Sequence, residues 1–249
     1  MKKVIKETRK IRYLLPKKVL YKEGNINNEK ALLEPKDDQI SILEKDVFSI
    51  EGKGYIVLDF GQEMCGGIRI LTHMSKTPDD LSKVRIRFGE SVSETFAEFN
   101  EKGTTNNHAL RDFEVSLPAL SDQTFGDTGF RFVRIDFLDE NAAPRIKQIY
   151  AKEFYRNLPV KERFKTEDKL LDKIYKTCIR TVDLNIQSRI WDGIKRDRLV
   201  WIGDMEIEIK SILHLHGLIP EIELSINTAE LGNPLPVWMN GIPSYSFWY

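Results

Sequence analysis

The chain has 249 residues, 41% of them hydrophobic and 31% charged, which suits a globular protein with a core of its own. Lysine plus arginine and aspartate plus glutamate balance at 38 each, so no global field recruits nucleic acid or an acidic membrane. No apolar run of about 20 residues offers a membrane span, and no apolar segment after the basic start offers a signal peptide, so a cytoplasmic protein is expected.

Taken in chain order, MKKVIKETRKIRYLLPKK carries a local basic excess without interleaved aromatics. It reads as a solvated edge segment rather than a nucleic-acid arm. Residues 1–50 are expected to form an extended lead-in with a few strands. From 51 to 160 the period is two. KVRIRFG alternates Val84, Ile86 and Phe88 against Lys83, Arg85 and Arg87, a strand with one buried face. YIVLDFG, GGIRILTH, RDFEVSLP and RIKQIYAKEFY read alike, bounded by Gly, Pro, Asp and Asn. In GFRFVRIDF the phase breaks between Phe132 and Val133, which predicts a bulge or a strand buried on both faces. Many short strands with turns between them predict an antiparallel β-sandwich. FNEKGTTNNHALRD, with His108, has the residues of a long surface loop.

After Pro159 the period becomes helical, and residues 161–249 are expected to be a helical domain. Leu170, Leu171, Ile174, Cys178 and Val182 make one apolar stripe, with Thr166 as the predicted N-cap. GDMEIEIKSILHLHG predicts a second helix with Ile207, Ile212 and Leu213 inward and Gly217 as its stop. A third runs from Glu221 to Leu231. The aromatic-rich ending WMNGIPSYSFWY reads as the opening of a further helix, cut in mid-domain.

Cys65 and Cys178 show no metal spacing and are expected to be buried free thiols. His214 and His216 are two apart, so they do not share a helix face and make no metal site. No glycine-rich nucleotide loop and no nucleophile pairing is present, so no cofactor is expected.

One stretch stands out. WDGIKRDRLVWIGD, Trp191 to Asp204, sets Asp192, Asp197 and Asp204 beside Lys195, Arg196 and Arg198, with tryptophans at 191 and 201, where two helices meet. Loops at helix ends on a rigid scaffold commonly hold reacting groups. Read from the residues alone, an ion-pair network at a helix end is the plainer account.

With ILTHMSKTPDD, VRIRFGESVSE, EKGTTNNHALRDFEV and GFRFVRIDF in the first block, and WDGIKRDRLVWIGDM and PLPVWMNGIPSYSFW in the second, the chain resembles the α-L-rhamnosidase family of glycoside hydrolases. The resemblance covers roughly residues 50–249. It implies a β-sandwich followed by the first helices of an incomplete (α/α)6 barrel, and inverting hydrolysis of terminal α-L-rhamnosides. Matched motif to motif, it implies that Asp192 and Asp204 bind sugar hydroxyls and that Asp197 is the general acid. Arg196 and Arg198 then fall beside the acid, and Trp201 falls in the pocket wall. The implied partner is a rhamnose-containing glycoside, with no nucleic acid, membrane or metal.

The sequence departs from the family's pattern at three points. Asp197 stands where the family usually has Glu. Glu206-Ile207-Glu208 follows Met205 where His-Pro-Glu is expected. The family's general base, a late glutamate, has no counterpart. Three readings stay open: a glycosidase of which this is a portion, a carbohydrate-binding fragment, and an inactive remnant.

Overall fold

The structure is a computed structural model that describes residues 8–37, 45–75, 81–99, 101, 111–161, 164–234 and 236–249. Two compact units emerge, residues 12–153 and residues 154–249 with 1–11.

The first unit is a β-sandwich. Its strands are β1 (Lys10–Leu14), β2 (Lys18–Asn27), β3 (Phe48–Thr72), β4 (Leu81–Gly89), β5 (Asp112–Pro118), β6 (Asp122–Phe137) and β7 (Arg145–Tyr155), with a short helix α1 (Val92–Phe96) after β4. Hydrogen bonding runs β1-β7-β3-β6-β4-β5, and β2 also pairs with β3. The long β3 belongs to both layers. Its first half pairs antiparallel with β2, Lys18 opposite Asp59, and with the end of β6, Gly54 opposite Phe137. Its second half pairs with the start of β6, Leu71 opposite Asp122, and lies beside β7, Gly66 opposite Glu153 and Leu71 opposite Gln148.

The corner falls where the β3–β6 register shifts between Asp59 and Met64. On β6 this lies between Phe130 and Phe132, next to the phase break legible in the sequence. β6 is also buried on both faces there, with Phe130, Phe132, Val133 and Ile135 all in the core. Asp59 fixes the corner by accepting from Arg131 Nε and Nη2 at 2.8 and 2.9 Å and from the Gly61 N–H at 2.6 Å. The Arg131 guanidinium holds the Asp59 carboxyl below its ordinary value.

The alternation in β4 holds for Val84, Ile86 and Phe88, which are wholly buried. Arg87, expected outside, is 5% exposed; it is paired with Asp136 and Glu98 instead of facing water. Facing layers touch at Gly126 of β6, where an added Cβ would lie 2.5 Å from the Phe88 ring and φ is +80. Both the overlap and the left-handed backbone oppose a side chain there. Gly126→Ala is expected to lower stability by about 2–3 kcal/mol in urea unfolding; an unchanged midpoint would show that the layers do not meet at this point. The surface loop read at 99–112, His108 included, lies largely outside the described residues.

The second unit holds α2 (Lys169–Asn185), α3 (Ile202–His216) and α4 (Pro220–Gly232), followed by 3-10 turns at Met239–Gly241 and Pro243–Phe247. These turns stand where the sequence suggested a further helix. Several local expectations are corrected. The cap of α2 is Asp168, whose carboxylate accepts from Leu170 and Leu171 N–H; Thr166 instead accepts from the Asp168 N–H, one step further out. The α2 stripe is at the surface, with Leu170, Leu171 and Ile174 at 63, 45 and 49% exposure, because nothing among the described residues packs over those turns. Cys178 lies on the same open face, so one thiol is exposed while Cys65 is buried, and neither is in a disulfide. In α3, Ile212 faces inward as expected, but Ile207 and Leu213 do not; Ile202, Met205 and Leu215 fill the core instead. Gly217 ends the helix with φ +77.

His216 is buried. One of its ring nitrogens lies 3.0 Å from the Pro159 carbonyl oxygen and the other 2.9 Å from Asp183 Oδ1, which fixes the end of α3 against α2. No group of three or more metal-ligating side chains occurs among the described residues. No described helix is long and apolar enough to cross a membrane.

Candidate functional site

The chain doubles back directly after α2. Ile186 and Ile190 form an antiparallel bridge, the Ile190 N–H donates to Ser225 Oγ at 2.9 Å, and the Trp191 N–H donates to the Asn185 carbonyl at 3.0 Å. This brings Asp192 back beside the end of α2. The next eight residues close on themselves. The Asp192 N–H donates to the Leu199 carbonyl at 3.1 Å, and the Leu199 N–H donates to Asp192 Oδ1 at 2.8 Å. Asp192 thereby shapes the loop as well as offering a carboxylate.

Asp197 sits at the tip, with φ +57, followed by Arg198 at φ +55. Two successive left-handed non-glycine residues are uncommon, and such strain gathers at functional segments. The Asp197 side chain is 36% exposed, with Arg196 Nε 3.4 Å from its Oδ1. Arg196 thus stands beside Asp197. The Arg198 guanidinium lies over the Trp191 ring at 5.2 Å, with Arg9 over the same ring at 6.0 Å. This arrangement accounts for one tryptophan among so many charges, since an aromatic face attracts a cation.

Trp201 precedes α3 and supplies no side-chain cap. The helix takes its cap from the chain's last segment: Asn240 Oδ1 accepts from the Ile202 N–H at 3.0 Å, and Asn240 Nδ2 donates to the Val200 carbonyl at 3.1 Å. Tyr245 closes over the same turn, edge-on to Trp201 at 6.1 Å. A Cβ on Gly203 would lie 2.2 Å from the Tyr245 ring, so that glycine is needed for contact. The two sequence blocks of the helical unit therefore meet in space. Trp201 is half-buried, and its indole N–H is buried without a hydrogen-bond partner among the described residues.

Asp204 lies in the first turn of α3, exposed. Burial pushes the Asp192 carboxyl above its ordinary value; the Leu199 N–H opposes this, and the charges of Asp197 and Asp204 add to it. The structure thus brings all three predicted aspartates into one electrostatic neighbourhood. It adds a fourth group, Glu208, which stands out in the sequence only as part of the Glu206-Ile207-Glu208 departure. One helical turn after Asp204, Glu208 is half-buried, and its carboxyl is pushed up to about 7 by burial, then by Asp204 and Asp192. Spacing of four from Asp204 was the available signal; burial was not legible. Glu208 also lines a cavity of about 200 Å3 between α2 and α3, with Asn185, Ile190 and Ile212 among its walls.

Chemically, the arrangement offers hydrogen-bond acceptors for hydroxyl groups, two carboxyls, Asp192 and Glu208, whose burial and charged neighbours favour holding a proton, and an aromatic with an unsatisfied donor. That is a set suited to a neutral polyol.

No family model matches the chain. An α-L-rhamnosidase of Alteromonas sp. (strain LOR) is 28% identical over 177 residues, covering 68% of this chain and 18% of that protein. The solved rhamnosidase from Klebsiella oxytoca with rhamnose bound superposes with a TM-score of 0.66 at 18% identity, over 84% of this chain and 42% of that one. A family 78 rhamnosidase of Bacillus sp. GL1 gives 0.64 at 17% identity, over 88% and 22%. The chain therefore spans less than half the length of each. A β-sandwich followed by helices is the fold they share with it. Sequence match and fold together liken the chain to part of the α-L-rhamnosidases.

Proposed function

We propose that the chain is the sugar-gripping portion of a glycoside hydrolase acting on terminal α-L-rhamnosides. In this reading Asp192 and Asp204 accept hydrogen bonds from ring hydroxyls, Asp197 delivers the proton to the departing oxygen, Arg196 steadies Asp197, and Trp201 forms part of the wall. The supporting observation is that Asp192 is half-buried and feels the charges of both Asp197 and Asp204. An inverting glycosidase needs an acid of this kind and a base roughly 6.5–9.5 Å from it, with a water between. No residue is assigned the base, so hydrolysis by these 249 residues alone is expected to be weak or absent while binding persists. We read α2, α3 and α4 as the opening of an (α/α)6 barrel, a reading that suits the uncovered stripe of α2, with domains at 1–50, 51–160 and 161–249.

Calorimetry with L-rhamnose tests the binding role. The wild-type chain is expected to give saturable heat, and Asp204→Ala to weaken binding at least about tenfold, the loss typical of a hydrogen bond to a charged group. No heat from the wild type would refute the sugar site. With an aryl α-L-rhamnoside, any turnover is expected to fall about a hundredfold or more in Asp197→Asn. Turnover that survives the substitution would remove Asp197 from the acid role and favour a binding fragment.

A further inference from the structure

The basic start of the chain ends in Lys17 and Lys18, and the sandwich unit gives those charges a setting. β2 runs beside β3, Lys18 opposite Asp59, and stops at Asn27. Asn28, at φ +56, then reverses the chain into a 3-10 turn, Glu29–Leu33, anchored by Ala31 and the wholly buried Leu32. The turn is thereby held to the core that β2 covers, and a hollow of about 350 Å3 lies between turn and strand. Lys17, Lys18, Lys22 and Lys30 line it, and Glu29 is the one carboxylate among the lining residues.

Lys22 is neutralised within the hollow, where its Nζ donates to Glu29 Oε1 at 2.6 Å. Asp59 feels the charge of Lys18 but is already held by Arg131 at 2.8 and 2.9 Å. Among the described residues, no hydrogen bond or ion pair reaches the ammonium groups of Lys17, Lys18 or Lys30. Like charges gathered in one concavity focus a positive field that an anion relieves. Guarding the free edge of β2 accounts for a lysine on the strand, but not for Lys30, which the turn brings back to it. The remaining lining is apolar or aromatic: Val19, Leu20, Leu33 and Tyr21, which is 52% exposed. A sugar ring that carries a carboxylate uses both halves of this lining, with its charge on the lysines and its C–H face on the aromatic ring. A bare inorganic anion would use the lysines alone.

We propose that this hollow is a binding subsite for an acidic sugar residue, with the carboxylate among Lys17, Lys18 and Lys30 and the ring against Tyr21. The sugar in this assignment rests on the reading that the chain acts on a glycoside, whereas the negative charge rests on the lysines.

Calorimetry with the full chain compares a tetramer of 1,4-linked uronic acid with the same tetramer after its carboxyls are reduced to neutral alcohols. The acidic tetramer is expected to bind about tenfold or more tightly, the worth of one hydrogen bond to a charged group, and the preference is expected to shrink as salt is raised. Lys17→Gln combined with Lys30→Gln changes two exposed side chains and is expected to weaken the acidic tetramer about tenfold. Glu29→Gln removes the competing carboxylate and releases Lys22, and is expected to tighten binding about threefold. Tyr21→Ala is expected to weaken it about threefold. Equal affinity for the acidic and neutral tetramers, or an unchanged affinity in the lysine double variant, would overturn the subsite. Single-stranded DNA bound as tightly as the acidic tetramer, with no effect of Tyr21→Ala on either, would overturn the assignment to a sugar. L-Rhamnose binding by the lysine double variant is expected to match the wild type, so failure of this subsite is read separately from failure of the aspartate site.

Discussion

Arg156→Ala is expected to lower the stability of the helical unit by about 3–5 kcal/mol, the loss that follows when a buried ion pair is broken from one side. Glu221, in the first turn of α4, has a side chain only 2% exposed, and Arg156 pairs with it at 15% exposure. Arg156 Nη1 also donates to the Thr8 carbonyl at 2.7 Å. Truncation leaves the carboxylate buried without its cation, and the residue cannot regain water without opening the start of α4. The asymmetry provides a control: Arg156→Met combined with Glu221→Leu is expected to recover most of the loss, because two apolar side chains of similar size remove both charges together. Urea unfolding followed by tryptophan fluorescence reads this unit alone, since Trp191, Trp201, Trp238 and Trp248 all lie within it. A loss under about 1 kcal/mol for Arg156→Ala would mean that the pair is solvated.

The second large effect is a pH dependence centred on Glu208. Its carboxyl is pushed up from an ordinary 4.5 to about 7, by burial first and then by Asp204 and Asp192. A folded-state value above the unfolded one means that the fold prefers the protonated form. Below about pH 4.5 both states hold the proton and nothing is lost. Between pH 4.5 and 7 the unfolded chain ionises while the folded chain does not, so the fold is progressively disfavoured, and above about 7 the penalty is constant. At 1.36 kcal/mol per unit, reduced for the solvent that reaches a half-buried group, the penalty is about 2 kcal/mol. Glu208→Gln is therefore expected to stabilise the helical unit by about 2 kcal/mol at pH 8 and by almost nothing at pH 4. Asp192, also raised, gives the wild type a slope of the same sign, and the difference between the two proteins isolates Glu208. A difference that does not change with pH would show that Glu208 ionises as freely in the folded chain as in the unfolded one.

Much of this was legible before any coordinate. The alternation of Val84, Ile86 and Phe88, the broken phase beside Phe132 and the helical stretches after Pro159 are local signals. Each states which face of its own element turns away from water. The grouping of Asp192, Asp197 and Asp204 was legible because a short loop between two helices leaves few ways to separate them. Arg87 shows where such signals stop: its position on the outer face was correct for the strand, and only the neighbouring Asp136 and Glu98 make burial of its charge tolerable.

What the sequence determined by itself, then, is the kind of element at each position and the residues available to the site. Tertiary structure decided what covers them. Leu170, Leu171 and Ile174 form a stripe by sequence, yet exposure depends on whether another element packs over it. The N-terminus of α3 is capped by Asn240, thirty-eight positions away, because Trp201 has no side chain that can accept its free N–H groups. Glu208 joins the aspartates because α3 is rotated to turn it toward α2, and that rotation is set by Ile202, Met205 and Ile212 entering the core. Burial and charge coupling act through space, so no pattern confined to the chain could state them.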